Sequence, residues 1–562
     1  MKTAVPIVVA GLLLMLLGIG QRTLWAPPET VMASVTQDVR SAPVTVIEPG
    51  ARGDSVDSVD SVEVTVEAKG SFTLAIGRSS DVEAWVGDAA HLSVTGISAD
   101  TLDAEYTEGE DTVPDPSGSD LWISEEPGDG TLTYRWSEPV EGDWSILLAA
   151  DGTAPAPTQV SVTRPNDQAT PFALPLIIGG ALAVVLGIAL LVLPRRRGRK
   201  RRTVAAEGTR VSAPHAQAGG SGGVASIAAP GSVLLALGLI GAGSSLGIAP
   251  GTATSSSTPP SAGSEESGPP VVLPSQLERI LAAVAETVAT ADAASDATLL
   301  APRVDGAALE IRTGAYTVSA KDQSAAGPPA VAAAPVLLTM IPTDAEWPRS
   351  IVALTQGGDN PEPQALLLVQ QSPRENYRLI SAVQMLPDST FPTPPAPGAT
   401  GPVPLDEPGA LAHAPRSAVA LVADIQANAD AADALTFEQD PFAEAISVFQ
   451  AGVVADLESR GASVSFRPAV EGERTQALLT GDGGAMVFGY LTHTYASVPT
   501  SEDGTIDIEG TVYESLTGVD TSENGIDVRY GEAVMMYVPP AGSAGMIRVV
   551  GAAQQLLSAA LG

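Results

Sequence analysis

The sequence predicts a multi-domain membrane protein. It has three transmembrane helices, a small all-β sandwich-like exported domain, and an α+β exported region built of two helix-then-antiparallel-meander lobes. Three observations lead there. Apolar runs occupy 4–20, 172–193 and 231–249. Short segments of alternating polarity, separated by Gly, Pro and Asp, fill 40–165. Beyond residue 274, a helical pattern followed by several strand patterns occurs twice, on either side of a proline-rich linker at 391–404.

The run 172–193 orders the rest. It is free of charge and long enough to cross the ~30 Å hydrocarbon core of a bilayer as one helix. Arg195, Arg196, Arg197, Arg199, Lys200, Arg201 and Arg202 follow it, and a basic cluster at the end of a membrane helix is held on the cytoplasmic side. Residues 40–165 are therefore expected outside, with 194–230 as a basic cytoplasmic loop. The first run reads as a transmembrane helix or signal anchor. Lys2 precedes it, and Gln21-Arg22-Thr23-Leu24-Trp25 offers no small-x-small cleavage site. The run 231–249 is shorter and rich in glycine. Its place between the basic loop and the flexible linker 250–273 makes it the third crossing, which carries the remainder outside. Gly243 and Gly247 have the small-xxx-small spacing that lets membrane helices approach closely. The expected location is the cell membrane, multi-pass, with large extracellular domains.

The formal net charge is -36. Between Arg22 and Thr170 acidic residues outnumber basic ones roughly four to one. Such a surface repels phosphate, so no nucleic-acid partner is expected. The chain has no cysteine, which excludes disulfides, thiol catalysis, zinc–thiolate sites and lipid attachment at a cysteine. Abundant Ala, Gly, Pro and Thr with few Lys match the composition of a high-GC bacterium.

In the first exported region, strands are expected at 62–67, 71–76, 81–86, 131–136, 144–148 and 159–162. The triplet Asp54-Ser55-Val56 recurs at Asp57 and Asp60. It lacks the central Gly and terminal Glu of a calcium loop and reads as a solvated linker. In the cytoplasmic loop, Gly219-Gly220-Ser221-Gly222-Gly223 has the letters of a nucleophile elbow without the flanking strand and helix.

The region from 274 starts with a helix, Ser275 and Glu278 forming a capping box. Leu277, Ile280, Leu281, Val284 and Val288 mark its apolar face. Strands are expected at 308–319, 336–341, 350–355, 365–370 and 377–385, completing lobe 274–390. In lobe 405–562, Asp440 caps a helix begun by Pro441, with Phe442, Ile446, Phe449, Val453 and Leu457 inward and Gly461 at its end. Strands follow at 464–466, 475–479, 485–495, 505–513, 526–537 and 546–550, then a short helix at 552–561. This order of elements over 274–562 resembles the cone-shaped fold of the nuclear transport factor 2-like superfamily, which hosts enzymes and non-catalytic modules alike. The stretch Ala301-Pro302-Arg303-Val304-Asp305-Gly306-Ala307-Ala308-Leu309-Glu310-Ile311-Arg312, with Tyr316, resembles an uncharacterised family of actinobacterial membrane proteins and lipoproteins. That resemblance implies no catalytic residue.

The four histidines, His91, His215, His413 and His493, stand apart from one another, and none has a zinc-ligand spacing. There is no P-loop or dinucleotide fingerprint, and no cofactor or metal is expected. His493 lies in a strand, where it is placed to line a pocket with Tyr495 or Asp507 as an acid/base pair. The leading expectation is a non-enzymatic cell-envelope protein whose exported domains bind a protein or cell-wall partner or scaffold a membrane complex. The alternative is an exported enzyme with its pocket in the C-terminal lobe.

Overall fold

The computed structural model describes residues 4–26, 28, 30–36, 39–53, 62–98, 100–137, 142–166, 172–196, 270–343, 346–357, 360, 362–387, 389–395, 400–427, 437 and 441–562. The third apolar run, the cytoplasmic loop with Ser221, the linker 250–269, Asp440, and Arg197, Arg199, Lys200, Arg201 and Arg202 lie outside them. So does the Asp-Ser-Val repeat up to Ser61.

Helix α1 (Ala4–Thr23) precedes eight strands: β1 (Thr30–Val35), β2 (Val44–Ile47), β3 (Val62–Arg78), β4 (His91–Ser98), β5 (Thr101–Thr107), β6 (Ser124–Trp136), β7 (Trp144–Ala149) and β8 (Gln159–Pro165). Helix α2 (Ser79–Val86) joins β3 to β4, and α3 (Ala173–Arg196) follows β8. The C-terminal region holds α4 (Pro274–Ala294), α5 (Gly306–Ser319), β9 (Val336–Met340), β10 (Arg349–Thr355), β11 (Gln364–Gln370) and β12 (Arg378–Met385). Then come α6 (Pro415–Ala427), α7 (Pro441–Ser459), β13 (Ala462–Val470), β14 (Gln476–Leu479), β15 (Ala485–Pro499), β16 (Ile506–Asp507), α8 (Val512–Thr517), β17 (Thr521–Ser522), β18 (Ile526–Val538) and β19 (Arg548–Leu561).

Two compact units result. In the first, α1 and α3 pack side by side. Both are long and apolar enough to cross a membrane. Their outer side chains, such as Leu16 and Leu182, are exposed. Gly11 sets the contact distance: a Cβ there would lie 2.7 Å from the Gly180 carbonyl oxygen, so glycine is needed for the two backbones to meet.

The second unit holds residues 28–167 and 265–562 together. Its N-terminal sheet runs β6-β3-β7-β2-β4-β5-β1-β8, and β8 also pairs with β3. The long β3 carries β7 and β8 on the same edge, one beyond the other, so the sheet closes into a barrel. The expected sandwich is corrected to this closed sheet, which also contains two parallel pairs, β1–β5 and β2–β4. Closure removes the edges of the ring from β3 round to β8 and leaves the outer edge of β6, which pairs with β3 alone. Phe72, Leu74, Trp136, Trp144 and Ile146 fill one core. The segment at 81–86 is helix α2, not a strand. Val82, Trp85 and Val86 follow helical spacing and are buried, and Gly87 ends the helix at φ 52.

The C-terminal strands form one sheet in the order β13-β15-β18-β19-β12-β11-β10-β9, with β14 on β15. The last strand of each half, β12 and β19, meet antiparallel in the middle, so the two expected lobes are halves of one sheet. Helix α4 lays Leu277, Ile280, Leu281, Val284 and Val288 against Ile351, Leu366 and Leu368. The expected capping box is shifted: the helix starts at Pro274, and the Leu273 amide donates to Gln276 Oε1 at 2.9 Å. The segment at 308–319 is helix α5, with Ala307, Ala308, Ile311, Ala315 and Tyr316 on its buried side. At the C-terminus, 552–561 is strand, not helix. Alanine's helical preference yields there to a long ladder on β18. The strand expected at 505–513 shrinks to β16, and Thr511 caps α8 instead.

The barrel and this sheet are clamped by buried charge. Arg349 Nη2 lies 2.6 Å from Asp81 Oδ1, with both side chains only 1% exposed. Burial pushes the Asp81 carboxyl up, against the pull of Arg349 and Arg78. Arg303 grips both oxygens of Asp120, at 2.5 and 3.1 Å, and the Tyr377 amide adds a third donor at 2.8 Å. Gln276 donates to the Asp120 and Leu121 carbonyls, and Arg374 to those of Trp85 and Val86. Trp347 packs on the cluster of Trp85 and Trp122 and beneath the Arg349 guanidinium, 3.7 Å away.

Candidate ligand-binding site

The sheet face beneath α7 collects polar groups in an otherwise apolar array. Period-two alternation puts Leu491, His493 and Tyr495 of β15 on the same face as Val528, Tyr530, Glu532 and Val534 of β18, and Gln554 lies opposite Glu532 on β19. Glu532 and His493 are buried. His493 Nδ1 is 3.2 Å from Glu532 Oε1, which also accepts from Gln554 Nε2 at 2.6 Å. Glu532 Oε2 accepts from Gln426 Nε2 of α6 at 2.5 Å. In turn, Gln450 of α7 donates to the Gln426 backbone oxygen. Gln426 Oε1 and His493 Nε2 are buried without a hydrogen-bond partner.

Two neighbouring cavities open here. The smaller, about 230 Å³, is lined by Ile446, Phe449, Tyr495, Glu532, Ala552 and Gln554 among others. The larger, about 510 Å³, has walls of Val453, Leu457, Ile526, Val528, Tyr513 and Tyr530, with Asp507 and Arg460 among its polar residues. Phe449 and Tyr495 belong to both, their ring centroids 6.1 Å apart. Burial, and then the Glu532 charge, push the Tyr495 hydroxyl up to about 12. Burial also raises Tyr530, whose hydroxyl sits 3.0 Å from that of Tyr513. Both phenols stay neutral and serve as hydrogen-bonding groups, not bases.

His493 is where the sequence put it, next to Tyr495 at 4.6 Å between ring centroids. Its carboxylate partner is Glu532, not Asp507. Asp507 is exposed and accepts from the Glu509 amide. His493 itself lines neither cavity. Among the residues expected to point inward from α7, Phe449 is instead half exposed at the cavity wall. Among the described residues no cluster of His, Asp and Glu is arranged to hold a metal. A second groove, about 590 Å³, contains Glu310, Arg474 and Arg529. Its charges are already paired, Glu310 bridging Arg474 at 2.6 Å and Arg529 at 3.5 Å.

A family model described as a domain of unknown function (DUF8094) matches residues 269–560, over half of the chain. The chain belongs to that family. No curated protein and no solved structure matches it. The matched region contains both cavities and the C-terminal sheet up to the last residue of β19, Leu561, which lies just beyond it. It also contains the stretch 301–312, whose side chains have structural duties. Arg303 holds Asp120, Asp305 accepts from the Gly306 amide at the start of α5, and Arg312 and Tyr316 both bind Asp292.

Proposed function

We propose that the chain is a non-enzymatic, multi-pass protein of the cell envelope. Barrel and C-terminal sheet form one extracellular body that binds an envelope protein or cell-wall component, or scaffolds a membrane complex. The buried docking of 28–167 on 270–562 carries this reading. With α1 and α3 crossing the bilayer, the chain leaves α3 on the side opposite the barrel. The C-terminal sheet nevertheless clamps the barrel through Asp81–Arg349 and Asp120–Arg303. One more crossing between 196 and 270 is needed, and 231–249 is the apolar run in that interval. The basic cluster at 195–202 supports placing the body outside.

The absence of cysteine makes the test clean. Ser71 and Ser501 are exposed, one on the barrel and one beside the C-terminal sheet. In intact cells an impermeant thiol reagent is expected to label Ser71→Cys and Ser501→Cys and to spare Ser221→Cys. Labelling at 71 with protection at 501 would sink the reading.

One observation favours the exported enzyme instead. Glu532 orients His493 through Nδ1 and leaves Nε2 unpaired, the arrangement of a general base and its positioning carboxylate. His493→Asn keeps a donor for Glu532 but no base. A binding protein is expected to tolerate it, whereas loss of function equal to gene deletion, with the body folded, would establish the enzyme.

A further inference from the structure

We infer that the paired cavities under α7 take a small amphipathic amine, its apolar body in the larger compartment and its cationic head against Glu532 in the smaller. This rests on the binding reading above and names its ligand class. The argument is one of hydrogen-bond valence. An ionised carboxylate offers about four acceptor sites. Glu532 uses three of them, two on Oε1 for His493 and Gln554 and one on Oε2 for Gln426. The remaining site is on Oε2, and Glu532 lines the smaller cavity.

The rest of the cluster is arranged around the Glu532 carboxylate. A carboxylate only accepts, so the proton is assigned to His493 Nδ1, and both glutamines turn their amide nitrogens toward Glu532. That leaves His493 Nε2 and the Gln426 Oε1 acceptor. Both are buried and unpartnered. Each glutamine amide keeps a second N–H, and the neutral Tyr495 hydroxyl is a further donor, so the choice of head group rests on the Glu532 carboxylate and its open acceptor site. A carboxylate or phosphate head would face the Glu532 carboxylate with like charge, whereas an ammonium brings the opposite charge and a donor for its open site.

The walls favour the same ligand. Phe449 and Tyr495 line the smaller cavity, and aromatic rings attract a cation. The larger cavity is apolar around Val453, Leu457, Ile526 and Val528, and its volume falls in the ~300–1,000 Å³ range of small-molecule sites. Arg460, the cation among its lining residues, is already paired with Asp456 at 3.1 Å.

The test titrates hexylamine, hexanol and hexanoate by calorimetry into the full chain in lipid nanodiscs. Subtraction of protein carrying Gly452→Phe in identical nanodiscs removes partitioning into lipid. A Cβ at Gly452 meets nothing within 4 Å, and the residue lines the larger cavity, so the phenyl group fills the site without touching Glu532. Hexylamine is expected to bind about tenfold tighter than hexanol, the value of one hydrogen bond to a charged group. Hexanoate is expected not to bind, Glu532→Gln to erase the preference for the amine, and Gly452→Phe to abolish binding. Equal or tighter binding of hexanol or hexanoate overturns the head-group assignment while leaving a ligand cavity. So does an amine affinity unchanged by Glu532→Gln. Should Glu532→Gln fail to fold, the ranking of the three probes on the parent protein still decides. No binding of any probe to folded protein overturns the cavity as a ligand site. The labelling experiment, which reads topology alone, separately decides the envelope reading.

Discussion

Two places in the molecule bury carboxylates, one at the junction of barrel and sheet and one on a sheet face, and they differ in what faces the charge. At the barrel junction, Asp81 and Asp120 meet arginines, which stay charged at every pH of interest, and Asp120 receives a bidentate grip plus a backbone amide. Beneath α7, Glu532 meets an imidazole and two amides, and a cavity opens beside it. A permanent cation consumes the carboxylate and makes a clamp. Weaker donors leave charge and acceptor capacity over and make a site. The clamp should therefore respond to mutation through stability, the site through binding.

Arg349→Met tests the clamp most severely. It leaves Asp81 buried with Arg78, 4.0 Å away, as its remaining cation, and about 3 kcal/mol of stability should be lost in denaturant melts. Burial already raises Asp81, and removing Arg349 takes away its opposing pull. A raised carboxyl contributes stability that is fully present below its unfolded pKa and lost as pH rises through the folded value. The defect should accordingly shrink on acidification. A loss independent of pH would show that packing on Trp347, not charge, holds the junction.

Asp120→Asn should cost less, about 1.5–3 kcal/mol, because the amide oxygen still accepts from the Tyr377 amide while the charge toward Arg303 is gone. The same melts check it, and a loss as large as that of Arg349→Met would break the ranking of the two pairs.

Phe449→Asp should move stability by only about 0.5 kcal/mol, since half of the ring is already in solvent. Hexylamine binding should change far more than the melting curve does. A large loss of stability would mean that Phe449 is core, as its place in the helical pattern first implied.

The sequence made some of this legible. Strong alternation and long apolar faces located α4 and the cores of β3, β7, β10, β11, β15 and β18. Short or ambiguous runs misled: six residues at α2 fit both periods, and only packing on the barrel chose the helix. β19 reads as helix because alanine and leucine favour one, and the ladder on β18 is a tertiary fact. The strands β1, β2, β4 and β5 and the helix α6 were missed, and Gly11 and Gly180 became visible as a contact only once α1 and α3 were paired. For the site, His493 stood out by its rarity. Glu532 had a signal that went unread: Val528, Tyr530, Val534, Met536 and Val538 share its face of the strand, and it is the one charge among them. Partnerships such as Asp81 with Arg349 leave no local trace, because the two residues are 268 positions apart.

That separation has a temporal side. At about 5–20 residues per second, the ribosome needs roughly 10–50 s to reach Arg349 after making Asp81. Through that interval the barrel can close, but its docking face has no counterpart. Asp81, Asp120 and the rim around Trp85 and Trp122 must wait in water. The carboxylates keep that nascent face hydrated until the C-terminal sheet arrives and dries it. An acidic docking face thus suits a protein whose first half emerges long before the part that covers it.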